Sequence, residues 1–242
     1  MKKIAILQSN YIPWKGYFDM INMVDTFVIY DEVQYTKNDW RNRNIIKTKQ
    51  GLQWLTIPCM QYSIDQTIDQ TQINLTNWNK KHWQTIKTVY GKAPFFNQYK
   101  ALFEELYLSC NSNALSEINY QFIKAITELL DINTKIIYSK DLNVTGEKSE
   151  RLVKICQKLN TDIYLSGPAA KNYLNESLFS EKNIKVEWMD YSDYKAYSQM
   201  HPPFEHGVSI LDLIFNTGAE SFKYLKSFYH EETIPVHSDS CI

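Results

Sequence analysis

Ile4-Ala5-Ile6-Leu7-Gln8-Ser9-Asn10-Tyr11-Ile12-Pro13-Trp14-Lys15-Gly16-Tyr17-Phe18, followed by Thr26-Phe27-Val28-Ile29-Tyr30, decides the fold. Ile4 to Leu7 is continuously apolar, the pattern of a short strand buried on both faces of a parallel sheet. Pro13 then precedes Phe18, Ile21 and Val24 at helical spacing, and Thr26 to Tyr30 returns to a strand pattern. A strand, a helix and a strand in that order predict an α/β class: a Rossmann-like, mainly parallel sheet flanked by helices.

Working outward, the chain stays polar to Lys49, then Leu52 to Ile57 reads as a strand that Pro58 ends. Trp78 to Tyr90, Pro94 to Leu108 and Ser116 to Leu130 read as three successive helices. They predict a helical insertion or subdomain over 78–131 within one domain spanning 1–242. Lys135 to Tyr138 reads as strand, Lys148 to Leu159 as helix, Asp162 to Leu165 as strand and Ile184 to Trp188 as an edge or final strand. Ser209 to Phe215 reads as a closing helix stopped at Gly218, and the tail after Tyr229 as frayed.

Composition removes several function classes. Lysine and arginine number 26 against 27 acidic residues, a balance that argues against an extended basic surface for DNA or anionic lipid and leaves room for a small basic pocket. Seven glycines, with no GxGxxG or Walker A string, exclude a glycine-rich phosphate loop. Cys59, Cys110, Cys156 and Cys241 form no CxxC pair, so reduced thiols are expected rather than a metal site or disulfide framework. The first apolar run stops at Gln8, too short for a signal peptide or membrane span, which predicts a cytoplasmic chain without membrane insertion. Tyrosine, phenylalanine and tryptophan make up 14% of the chain; such rings suit partly wet clefts and ordinary cores alike.

In an open parallel sheet, ligands sit beyond the carboxyl ends of the strands. The first strand end carries Gln8, Ser9, Asn10 and Tyr11, then Trp14 and Tyr17 around a helix start that favours an anion; turn chemistry explains the same residues. The second carries Asp31 and Gln34, then Lys37-Asn38-Asp39-Trp40-Arg41-Asn42-Arg43-Asn44. There Arg41 and Arg43 are candidates for phosphate oxygens and Trp40 for stacking on a base or sugar, with a solvated loop as the alternative. The third carries Ser166-Gly167-Pro168, where Ser166 reads as a helix cap or as part of an anion site. His82 sits on a predicted helix, where a lone surface histidine is the default, and His201 and His206 flank Pro202-Pro203-Phe204-Glu205 at a spacing that fits no zinc motif. Ser209-Ile210-Leu211-Asp212 has the form of a capping box.

The opening string resembles the start of WbqC-like proteins, as do Asp31-Glu32-Val33-Gln34-Tyr35 and the Asn-Arg-Asn run. So do Trp54-Leu55-Thr56-Ile57-Pro58, Lys81-His82-Trp83, Lys148-Ser149-Glu150-Arg151-Leu152, Tyr164-Leu165-Ser166-Gly167-Pro168 and Ser209-Ile210-Leu211-Asp212. The resemblance runs in order along nearly the whole chain. It implies a bacterial transferase of O-antigen or other surface-polysaccharide (lipopolysaccharide) biosynthesis, moving a glycyl or other acyl group to the amino group of a nucleotide-linked amino sugar.

Within that reading His82, Asp31 and His201, in falling order, are candidates for the base, and Gln8 or Asn10 for oxyanion donors. Substrate contacts fall to Tyr11, Trp14, Tyr17, Gln34, Lys37, Trp40, Arg41, Asn42, Arg43 and Ser166. No metal is implied. The cofactor is an unknown activated donor: acyl-CoA, aminoacyl-adenylate and aminoacyl-tRNA stay open, the near-zero charge weighing against tRNA. A fainter similarity is to nucleotidylyl transferases and adenylate-forming ligases, whose His-x-Gly-His turn would fall on Trp14 and Tyr17 here; both histidines are missing. A non-catalytic sugar-nucleotide or glycan-binding protein is the third reading.

Overall fold

The computed structural model describes residues 1–74 and 76–228; the tail read as frayed and the thiol of Cys241 lie outside them. The chain begins with β1 (Lys3–Leu7), α1 (Lys15–Asn22) and β2 (Thr26–Ile29). Two small antiparallel pairs follow, the hairpin β3 (Arg43–Thr48) with β4 (Gly51–Thr56) and the short β5 (Cys59–Met60) with β6 (Gln72–Ile73). Next come α2 (Trp78–Tyr90), α3 (Phe96–Leu108) and α4 (Leu115–Leu129). The chain then re-enters the sheet through β7 (Lys135–Tyr138), α5 (Lys148–Lys158), β8 (Ile163–Ser166), α6 (Glu176–Ser180) and β9 (Lys185–Trp188), and α7 (Ile210–Thr217) follows.

Five strands form one parallel sheet in the order β7-β2-β1-β8-β9, a Rossmann-like α/β arrangement. The chain builds outward from β1 through β2 to β7, then crosses to β8 on the other side and ends on β9. The reversal falls between β1 and β8, whose register pairs Ile4 with Tyr164 and Ala5 with Leu165. Strand periodicity splits the side chains between two cores. Ala5, Phe27, Ile29 and Leu165 pack with α1, the three helices α2–α4 and α7, whereas Ile4, Ile6, Val28 and Tyr164 pack with Val153, Cys156 and Phe179.

Two local readings are corrected. The polar stretch before Lys49 contains β3, whose core-facing residues include Asn44. Asn44 is buried at no net cost to its amide because Nδ2 donates to the carbonyls of Tyr11 and Ile12, each at 3.0 Å. Ser166 does not cap a helix; it ends β8, and Gly167 begins the 3-10 turn Pro168–Asn172. Among the described residues no helix is long and apolar enough to cross a membrane.

Candidate functional site

The carboxyl ends of β1, β2 and β8 open into a crevice of about 400 Å³ at the point where the strand order reverses. Gln8, Tyr30, Tyr164, Ser166 and Tyr173 line it, together with Lys148 and Ser149 at the start of α5. Glu147 precedes that helix and makes no side-chain cap to the first turn of α5, which begins with the Lys148 and Ser149 that line the crevice. Apolar walls with a few convergent donors are the usual composition of a small-molecule site.

A second hollow, about 260 Å³, lies between Trp14 and Trp40 and is completed by Asn10, Pro13, Asn44 and Gly207. Trp14 is held edge-on by Tyr191 and Tyr194, at 5.1 and 5.7 Å between ring centres. Its indole lies across the first turn of α1, where only glycine fits: a Cβ on Gly16 would stand 2.3 Å from the ring. Trp40 packs on Trp54 at 5.3 Å, and the guanidinium of Arg43 lies 3.9 Å above Trp54.

Arg41 joins the two hollows. Its Nη2 donates to Oε1 of Gln8 at 3.2 Å and its Nη1 to Oδ1 of Asn10 at 3.0 Å. A guanidinium carries donors alone, so both amides must turn their oxygens toward it. Their NH2 groups keep no protein partner among the described residues. Arg41 also has Asp39 at 3.8 Å, a loose contact that leaves guanidinium N–H groups for an anion.

Remote contacts hold this constellation. Asp31, buried at the end of β2, accepts from the backbone N–H of Ser9 at 2.8 Å and from the hydroxyl of Ser116. Burial raises the Asp31 carboxyl above its ordinary value, while the bonds from Ser116 and Ser9 and the charge of Arg41 pull it back. Asn119 on α4 donates to Ser9 Oγ and to the Arg41 carbonyl, and the Tyr11 N–H bonds the Trp40 carbonyl. Ile12 sits at φ +37°, a conformation that costs a β-branched residue about 1–3 kcal/mol. Asn44 and Ser209 both donate to its carbonyl and hold the turn that brings Asn10 and Trp14 into one hollow.

The family model of the WbqC-like protein family matches residues 8–224, a span that contains every residue of both hollows except Ile6 and Leu7. The chain belongs to the WbqC-like protein family. Its similarity extends to the uncharacterized protein Rv1507c of Mycobacterium tuberculosis, 46% identical over 227 residues, which cover 93% of this chain and 98% of the relative. No solved structure matches.

The other residues singled out in this WbqC-like sequence are dispersed. Tyr17 is buried and its hydroxyl donates to the Gln8 carbonyl, so it supports the strand end from below. Tyr11 points away from both hollows, its hydroxyl 2.9 Å from His82 Nδ1 and 2.8 Å from the Tyr107 hydroxyl. His82 borders a separate shallow pocket with Thr56, Trp78 and Lys81. Burial lowers the His82 imidazole to about 4, against a smaller upward pull from the Thr56 backbone. The ring is therefore neutral and buried, not exposed on the helix surface, with Nδ1 paired to the Tyr11 hydroxyl. His201 lies half-buried in the loop with the cis Pro202-Pro203 bond and lines neither hollow.

Asn42 spends its NH2 on the Ile57 carbonyl, Gln34 donates to Ile64, and Lys37 is exposed. Arg43 turns to Trp54 and not to the amides that Arg41 holds. The capping box is half realised: Ser209 accepts from the Leu211 N–H, but Asp212 takes hydrogen bonds from Tyr90, Tyr197 and Gln199. Lys148, Ser149, Tyr30 and Tyr173 escaped the sequence reading as crevice residues. Lys148-Ser149 at a helix start following a strand was the available signal.

Proposed function

We propose that this protein binds a nucleotide-linked amino sugar across the two hollows and acylates its amino group, with glycine as one acyl group the family resemblance suggests. The observation that carries this is the position of Arg41, whose guanidinium touches the lining of a nucleoside-sized crevice on one side and of a single-ring hollow on the other. A diphosphate is the anionic link between a nucleoside and a sugar, and a forked cation at that junction suits it. The nucleoside then lies among Tyr30, Tyr164 and Tyr173, with Ser166 and the start of α5 nearby, and the sugar ring lies between Trp14 and Trp40.

In this layout the amine attacks the donor carbonyl as the free base. The NH2 of Asn10 meets the developing oxyanion, and the departing group of the donor takes the proton the nitrogen gives up. Asp31 acts by holding the Ser9 backbone, and His82 and His201 take no part in proton transfer. The donor is an activated acyl or aminoacyl compound that the cytoplasm supplies.

Calorimetry with nucleoside diphosphates, their amino-sugar conjugates and ATP tests the reading. One conjugate is expected to bind at least tenfold more tightly than its free nucleoside diphosphate, and Arg41→Ala is expected to abolish that binding. Mass spectrometry of the bound sugar then follows acylation across a donor screen. Binding of ATP with none of any sugar conjugate would replace the reading with an adenylate-forming activity. Sugar binding without turnover for any donor would leave a binding protein.

A further inference from the structure

Tyr191 lies just after β9, in a stretch without helix or strand from Met189 to Val208. The Met189 N–H donates to the Ser166 carbonyl at 2.8 Å, which ties the start of this stretch to the end of β8. The Tyr191 ring then meets Trp14 edge-on, and its hydroxyl lies beside Gly167, where an added Cβ would stand 4.0 Å away. Trp14 walls the ring hollow and Gly167 lines the crevice, so Tyr191, like Arg41, runs from one hollow to the other. The backbone of Gly167 is extended, with φ −70° and ψ 147°, a conformation open to any residue. Its missing side chain therefore serves no turn; it leaves the Tyr191 hydroxyl uncovered.

The neighbouring phenols are committed: Tyr194 donates to Asp19 and Tyr17 to the Gln8 carbonyl. The half-buried Tyr191 makes no side-chain hydrogen bond among the described residues. Its hydroxyl and the Arg41 guanidinium both bias the ionisation of Tyr17, so the two groups stand around the same strand end. Burial first, and then the charge of Asp19, raise the Tyr191 phenol above its ordinary value. It is thus an O–H donor at neutral pH and no base. We propose that the Tyr191 hydroxyl donates to a phosphate oxygen of the bound nucleotide, so that Arg41 and Tyr191 together hold the diphosphate where crevice and ring hollow meet. The inference rests on reading that junction as a diphosphate site. A phosphate fits the hydroxyl better than the sugar does, because the Tyr191 ring backs Trp14 while its hydroxyl end reaches the Gly167 side. A neutral donor beside a guanidinium strengthens an anion site through a charge-assisted bond without adding charge.

Tyr191→Phe tests it, because phenylalanine keeps the ring against Trp14 and removes the hydroxyl alone. Calorimetry on the full chain compares wild type, Tyr191→Phe and Arg41→Ala. The probes are the diphosphates of adenosine, guanosine, cytidine, uridine and thymidine, their amino-sugar conjugates and the parent nucleosides. The diphosphate that binds the wild type and its conjugate are both expected to bind Tyr191→Phe about ten- to a hundredfold more weakly, by the same factor. Affinity for the parent nucleoside and the melting temperature are expected to stay unchanged. Full affinity for the diphosphate in Tyr191→Phe, beside its loss in Arg41→Ala, would overturn this inference and leave the diphosphate reading standing. A loss confined to the conjugate would put the hydroxyl on the sugar, and an equal loss for the nucleoside would make it a support of the wall; either overturns the inference. A wild type that binds neither a diphosphate nor a conjugate would overturn both.

Discussion

Nη2 of Arg41 lies 3.2 Å from Oε1 of Gln8, two residues 33 positions apart in the chain. The contact fixes which end of the Gln8 amide faces the crevice, because arginine has no acceptor to offer. Asn10 is oriented by the same guanidinium at 3.0 Å, so one cation sets two donors in two hollows.

Gln8→Glu separates orientation from donation. A carboxylate keeps the contact with Arg41, so the melting temperature is expected to hold, while the NH2 donor is replaced by a charge that repels phosphate. The nucleotide-linked ligand identified by calorimetry is expected to bind about ten- to a hundredfold more weakly. Unchanged affinity would show that Gln8 does not reach the ligand.

Gly16→Ala addresses the ring hollow by displacing its Trp14 wall while leaving every lining residue in the sequence unchanged. The new methyl group would meet the Trp14 indole at 2.3 Å, so the ring must move away from Trp40 or the helix must shift. Affinity for the amino-sugar conjugate is expected to fall toward that of the free nucleoside diphosphate, whose own affinity stays constant. Equal losses for both ligands would mean that Trp14 does not read the sugar.

Asp31→Ala tests the support beneath Ser9. Removing the carboxylate leaves the Ser9 N–H and the Ser116 hydroxyl buried without their acceptor. A loss of about 2–4 kcal/mol in denaturant unfolding is expected. A loss below about 0.5 kcal/mol would remove Asp31 from the scaffold.

His82 predicts a stability change with pH. Its folded value of about 4 lies below its ordinary value of 6.5, so the unfolded chain binds the extra proton first. Its contribution is complete above pH 6.5 and is lost as pH falls toward about 4, a span worth roughly 3 kcal/mol at most. Unfolding free energies measured across that range are expected to fall with acidification, and more steeply in the wild type than in His82→Gln. Parallel curves for the two proteins would refute the assignment.

Much of the framework is legible because its causes are local. Trp78 to Tyr90 reads as a helix and Lys135 to Tyr138 as a strand, each with the boundaries the structure has, although nothing local shows that His82 lies on the buried side of its helix. Leu7 to Gln8 marks where an apolar strand ends and polar chemistry begins, which locates a ligand edge in a parallel sheet. β3 was hidden because Asn44 is a polar residue in the interior, made tolerable by two carbonyls more than thirty residues away in the chain. The pair β5–β6 and the five-residue α6 carry too few residues for any period to register.

The sequence alone determined the parallel α/β framework and the polar loops at its strand ends, because periodicity and punctuation act over a few neighbouring residues. Only the tertiary structure decided that Arg41 holds Gln8 and Asn10 while Arg43 turns to Trp54. It alone placed His82 behind Tyr11, away from both hollows. Residue type gives a side chain its capacity to donate, accept or stack; its partner is chosen by the packing of distant segments, which no local pattern records.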